Sequence, residues 1–67
     1  MPVYVRKALL VQNLLGAYRR RPPYQRNDYL AWIARAKRPE TRQKRLAQML
    51  SELAAGDRYM KMRYRAP

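Results

Sequence analysis

Proline limits what this chain can become more than any other feature. Pro22 and Pro23 stand together after three arginines, and Pro39 follows further along. The residue before a proline avoids the α region, and a proline inside a helix removes a backbone hydrogen bond. No regular helix can therefore run through either point. Proline does suit the first turn of a helix, where its missing N–H would have had no partner. The chain is thus cut into stretches that end near residue 21, start again at Pro23, and start once more at Pro39. Gly56 is a natural stop for the last of them.

Each stretch carries apolar residues at helical spacing. In residues 3 to 21, Val5, Ala8 and Leu9 share one face, while Leu10, Leu14, Ala17 and Tyr18 share another. Two offset stripes predict two short helices that meet near Asn13, with Gly16 weakening the second. Arg19, Arg20 and Arg21 suit a helix C-terminus, where the backbone dipole favours cations. The next helix is expected from Pro23 to Ala36 or Lys37. Its stripe is Tyr29, Trp32, Ile33 and Ala36, flanked by Leu30, with Asp28 and Arg35 opposite. Trp32, the only tryptophan, reads as the main aromatic of a small core. Tyr18 and Tyr29 also read as core, and Tyr24, Tyr59 and Tyr64 as freer.

The last helix repeats Leu46, Met49, Leu50 and Leu53. Arg42 extends this stripe, so its stem should cover the core edge while its head reaches the junction before Pro39. Glu52 and Asp57 sit at the wrong end for the helix dipole, a small penalty. From Asp57 onward the alternation Tyr59-Met60-Lys61-Met62-Arg63-Tyr64-Arg65 reads as an extended segment or a frayed basic tail. If extended, it would lay Met60, Met62 and Tyr64 on one face across the helices. The expected fold is all-α: a small bundle of three to four helices over residues 1–56, then a basic Tyr/Met-containing tail over residues 57–67.

Composition removes most chemistry. A chain of 67 residues buries only about 60% of its unfolded surface, so its stability should be modest. It has no cysteine and no histidine, which excludes disulfides, thiolate or imidazole metal ligands and the usual neutral-pH proton shuttle. Ser51 and Thr41 have no histidine base, and the carboxylates are scattered over different segments. The only glycines are Gly16 and Gly56, so no glycine-rich phosphate loop exists. The reading is a non-enzyme without cofactor or metal. The longest apolar run, Ala8-Leu9-Leu10-Val11, falls far short of the roughly 18–20 residues of a membrane span. Arg6-Lys7 before an apolar stretch loosely resembles a signal peptide, but Gln12 and Asn13 interrupt it and no cleavage site follows. No acid precedes Asp28, a trait shared with transit segments. With these set aside, the expected location is cytoplasmic, and the lack of cysteine is compatible with a reducing compartment.

Charge points to a partner. Sixteen Lys and Arg against four acids give a net charge of +12, a field that attracts polyanions. One cluster is Arg19, Arg20, Arg21 and Arg26, set among Tyr18 and Tyr24. The other is the junction, where Glu40 alone faces Arg35, Lys37, Arg38, Arg42, Lys44 and Arg45. Helix starts normally attract acids, so this junction holds unfavourable charge until salt, solvent or an anion screens it. Arginine outnumbers lysine twelve to four, and its forked donors fit phosphate. Nucleic acid is the first choice of ligand. A helix-turn-helix reading would place Arg42, Gln43, Lys44 and Gln48 toward bases, but a short helix hairpin usually implies nothing about DNA. The alternatives are a protein partner docked through the basic helices and the Tyr/Met tail, or an anionic membrane surface.

Several runs carry a resemblance. Tyr29-Leu30-Ala31-Trp32-Ile33, then Ala36-Lys37-Arg38-Pro39-Glu40-Thr41-Arg42, Lys44-Arg45-Leu46, Met49-Leu50 and Leu53-Ala54-Ala55-Gly56 resemble the C-terminal helical module of the YdeI/OmpD-associated family. The resemblance covers roughly residues 3 to 62. It implies a bacterial, all-helical domain labelled for bacteriocin protection or association with an outer-membrane porin. It brings no catalytic residues. Many such relatives carry a further domain ahead of this module, so the chain reads as a stand-alone or reduced form.

Overall fold

The computed structural model describes residues 1–63. Its elements are α1 (Val3–Val11), α2 (Leu15–Arg20), α3 (Pro23–Ala34), α4 (Pro39–Ala55), β1 (Arg58–Tyr59) and β2 (Met62–Arg63). The protein is predominantly α, with a single antiparallel hairpin, β1–β2, among the described residues.

The punctuation works as its chemistry dictates. Asn13 breaks the first stretch by entering the left-handed region at φ 57°, a conformation that Asn tolerates better than most residues. Around it, the Leu14 N–H donates to Leu9 O at 2.8 Å and the Asn13 N–H to Leu10 O at 3.1 Å. That pair of bonds is a Schellman ending, and it satisfies carbonyls that α1 would otherwise leave bare. Pro23 and Pro39 are the first residues of α3 and α4. Gly56 closes α4 at φ 84°. The third helix stops at Ala34, two to three residues short of the sequence expectation. The Ala36 N–H turns back to Ile33 O at 3.2 Å rather than to Trp32 O, because the chain must already bend toward Pro39.

The core joins all four helices. Val5 and Leu9 come from α1, Tyr18 from α2, Tyr29 and Ile33 from α3, and Leu46, Met49 and Leu53 from α4. The long helix α4 touches α2, α3 and β1, so it is the axle of the fold. Burying one such side chain contributes about 1.5–3 kcal/mol. Two expectations about the stripes need correction. Leu10 is exposed rather than packed with Leu14, Ala17 and Tyr18, because the turn at Asn13 ends its register. Tyr29, not Trp32, is the central aromatic: Tyr29 is 0% exposed while Trp32 packs at the rim.

Between Asp57 and Arg63 the chain neither runs on as one extended strand nor trails. It reverses at Met60 and Lys61, both at positive φ (50° and 65°), in a two-residue turn of the kind that usually needs Asn-Gly. This reversal separates Met60, which packs against the core, from Met62, which is exposed. They therefore do not share a face. Tyr64 lies outside the described residues.

Candidate anion-binding surface

The cations of the sequence divide by what their side chains touch. At the α3–α4 junction, Arg35, Lys37, Arg38 and Lys44 are exposed, and so is Glu40, the acid of the first turn of α4. No side chain caps the start of α4. Four cations therefore stand in solvent around a helix N-terminus, a weak anion site in its own right.

Arg42 and Arg45 are different. Arg45 Nη1 donates to Trp32 O at 2.7 Å, and its guanidinium stacks over the Trp32 ring at 5.2 Å. Trp32 O is the carbonyl that lost its helical partner when Ala36 turned away, so Arg45 replaces the missing donor. A cation here also suits the negative end of α3. Arg42 Nη2 makes a longer contact to Ala36 O at 3.4 Å and lies 5.9 Å from the Tyr4 ring centre. The expected reach of the Arg42 head to the junction is what the structure has. Arg45 clasps α3 to α4, and Arg42 ties α4 to the junction loop and to Tyr4 of α1.

The first cluster also divides. Arg19 and Arg20 are exposed and Arg26 is half-buried. Arg21 is buried, donating from Nη1 to Gln25 Oε1 and from Nη2 to Glu52 O, each at 3.1 Å. Its second bond crosses from the end of α2 to the end of α4, which fixes the two helices together. Tyr24 is exposed, as expected. Tyr59 is not free: its hydroxyl donates to Asp28 Oδ2 at 2.5 Å, and its ring meets Tyr29 and Tyr24 edge-on at 5.4 and 6.0 Å.

The residue that sequence reasoning passed over is Glu52. It is 6% exposed, and its carboxylate accepts four hydrogen bonds. Oε1 takes the Tyr29 hydroxyl at 2.5 Å and the Met60 N–H at 2.9 Å. Oε2 takes the Lys61 N–H at 2.7 Å and Gln48 Nε2 at 3.3 Å. The two turn amides point the same way because both residues are left-handed, and such paired N–H groups form a small anion cradle. Here the chain supplies its own anion. Burial alone would raise the pKa of Glu52, but these hydrogen bonds together hold it below the ordinary carboxylate value. The signal was present in the sequence: Glu52 lies three residues after Met49, on the buried side of α4.

Tyr29 and Tyr59 face these carboxylates, and their phenols are pushed up, first by burial and then by the acid each one meets. A phenol raised above its ordinary value of 10.0 contributes stability that is full below that pH. The contribution is lost as pH rises through the folded value. An alkaline titration followed by tyrosinate absorbance should show these two ionising only as helical circular dichroism collapses. Their titration well ahead of helix loss would contradict both hydrogen bonds.

Among the described residues no helix is long and apolar enough to cross a membrane, and no cluster of three or more metal-ligating side chains occurs. In comparison with known proteins, a family model described as bacteriocin-protection, YdeI or OmpD-associated matches residues 1–56. No curated protein and no solved structure matches.

Proposed function

The chain belongs to the bacteriocin-protection, YdeI or OmpD-associated family, and from that premise we propose that it is a non-enzymatic, cytoplasmic binding module that contacts a polyanion, nucleic acid foremost. The observation that carries this reading is the exposure of Arg35, Lys37, Arg38 and Lys44 around the uncapped start of α4, against Glu40 alone. Arg42 and Arg45 contact backbone carbonyls and ring faces, although Arg42 Nε is shielded without a partner, so they help hold the platform that presents the other four. Contacts of this kind are to phosphates and carry no sequence preference.

The test is a fluorescence-anisotropy titration of labelled duplex DNA and structured RNA at several salt concentrations. Binding at micromolar or lower concentration, weakening steeply with salt, supports the reading. Absence of binding near physiological salt removes it.

A protein partner is the second reading. Of the tail expected to dock it, Tyr59 and Met60 pack against the core, while Met62 is exposed. The surface that favours such a partner is α1, where Val3 is 82% and Val11 76% exposed, with Leu10 also bare. Binding that resists salt and is lost on Val3→Ser/Val11→Ser would favour it over the polyanion.

A further inference from the structure

A second basic feature lies apart from the junction cations. Arg6 of α1, Arg19 of α2 and Arg26 of α3 line one hollow of about 270 Å³, together with Met1, Leu15 and Tyr18. Three helices each contribute one arginine to its lining, and no acid lines it. Sequence reading grouped Arg19 and Arg26 with Arg20 and Arg21. The fold breaks that group, since Arg21 is buried against Glu52 O and Gln25, and it adds Arg6 in their place.

Two further observations point to a ligand. Arg26 Nε is shielded from solvent and has no hydrogen-bond partner, and a buried donor left unpaired is costly. Arg6 and Arg19 are exposed and Arg26 is half-buried, so the three charges repel one another partly through solvent, and an anion between them relieves that repulsion. Like charges held together in such a place favour a compact, multiply charged anion over a singly charged one.

We infer that Arg6, Arg19 and Arg26 form a pocket for one phosphate group in its doubly charged monoester or free form, with Tyr18 as floor. Forked guanidinium donors match phosphate oxygens, and three cations balance a dianion better than the single charge of a phosphodiester. The source is either free inorganic phosphate or the terminal phosphate of a nucleotide chain. The site uses none of the junction cations, so it stands or falls separately from the nucleic-acid reading.

The test uses the whole chain, labelled with nitrogen-15, and follows the arginine Nε–Hε resonances by nuclear magnetic resonance. Inorganic phosphate is added at constant ionic strength, with chloride replaced. A saturable shift of the Arg26 resonance is expected, and Arg6→Gln/Arg19→Gln should weaken it by about tenfold or more without lowering the melting temperature. An Arg26 resonance that phosphate moves no more than chloride does overturns the proposal in the unaltered protein, whatever the variants do. So does a saturable shift that the folded double variant leaves intact. In a parallel arm, a 5′-phosphorylated oligonucleotide is compared with its 5′-hydroxyl twin. Preference for the phosphorylated form at concentrations below those needed with inorganic phosphate assigns the site to a nucleotide terminus; otherwise free phosphate is the ligand. Duplex binding at the junction with an unmoved Arg26 would sink this inference and leave the proposed function standing.

Discussion

Glu52→Gln is expected to lower the melting temperature by roughly 10–20 °C, which corresponds to about 2–4 kcal/mol in a domain this small. The substitution keeps the size and shape of the side chain, so the effect isolates hydrogen-bond chemistry. Four donors converge on the carboxylate: the Tyr29 hydroxyl, the N–H groups of Met60 and Lys61, and Gln48 Nε2. A glutamine has one acceptor oxygen, and its NH2 would confront donors at the other position. Turning it over only changes which pair is left unsatisfied. The turn should then loosen, because only the packing of Tyr59 and Met60 and the Tyr59–Asp28 bond remain to balance two non-glycine residues at positive φ, each costing on the order of 1–3 kcal/mol. Hydrogen exchange should show the Met60 and Lys61 amides losing protection ahead of the core. Tyr29→Phe, which removes one donor and leaves the carboxylate three, should cost about 1 kcal/mol. If Glu52→Gln melts like the parent, the carboxylate is not what holds the hairpin.

The same residue predicts behaviour in acid. Its folded pKa lies below the ordinary 4.5, so its contribution is complete above that value. The contribution is lost as pH falls through the depressed folded value. The parent should therefore lose stability steeply in acid. The Glu52→Gln variant, which has already lost this interaction, should show a flatter profile over the same interval.

The second large effect separates the two kinds of junction cation. Arg35→Gln/Arg38→Gln/Lys44→Gln should leave the melting temperature unchanged or slightly raised, since it relieves repulsion between exposed charges. It should reduce nucleic-acid affinity by about ten- to a hundredfold and flatten the logarithmic salt slope by about 3, one phosphate contact per cation. Arg42→Ala/Arg45→Ala should do the reverse. It removes the donor to Trp32 O, the stacking on Trp32 and the contact over Tyr4, and should cost about 1–3 kcal/mol of stability. Nucleic-acid binding by the folded fraction should change by less than in the triple variant. Equal losses of binding in both variants would show that the clasping arginines themselves meet the ligand.

The helices were legible because their limits are chemical and local. Pro23 and Pro39 each begin a helix and Gly56 ends one, and the break near Asn13 could be read from two stripes that do not line up. What a stripe does not reveal is depth. Tyr29 and Trp32 lie on the same face of α3, yet one is at the centre and the other at the rim. Which is which depends on where α4 and the hairpin cross them, and that is set by contacts distant in sequence. The candidate anion surface was half legible for the same reason. The junction cations could be counted, and the reach of Arg42 to the junction foreseen, but the role of Arg45 followed from a carbonyl freed by the early end of α3. Arg6 could not be grouped with Arg19 and Arg26 until three helices had been placed together. Glu52 was hidden by a general expectation about acids near a helix C-terminus, which a set of four specific donors overrides.

The turn at Met60 and Lys61 also has a consequence for how this sequence can drift over generations. Lys61 lends Glu52 only its backbone, whereas Met60 also packs its side chain against the core, so position 61 is free to vary and position 60 only among apolar residues while an acid stands at position 52. Once that acid is lost, the same two positions come under strong pressure toward Asn and Gly, the pair that makes such a turn without outside help. Position 52 and the turn would thus change together, and the order matters. Acquiring Asn-Gly first would leave position 52 open to neutral replacement, whereas losing Glu52 first would pass through an intermediate whose last turn is loosened.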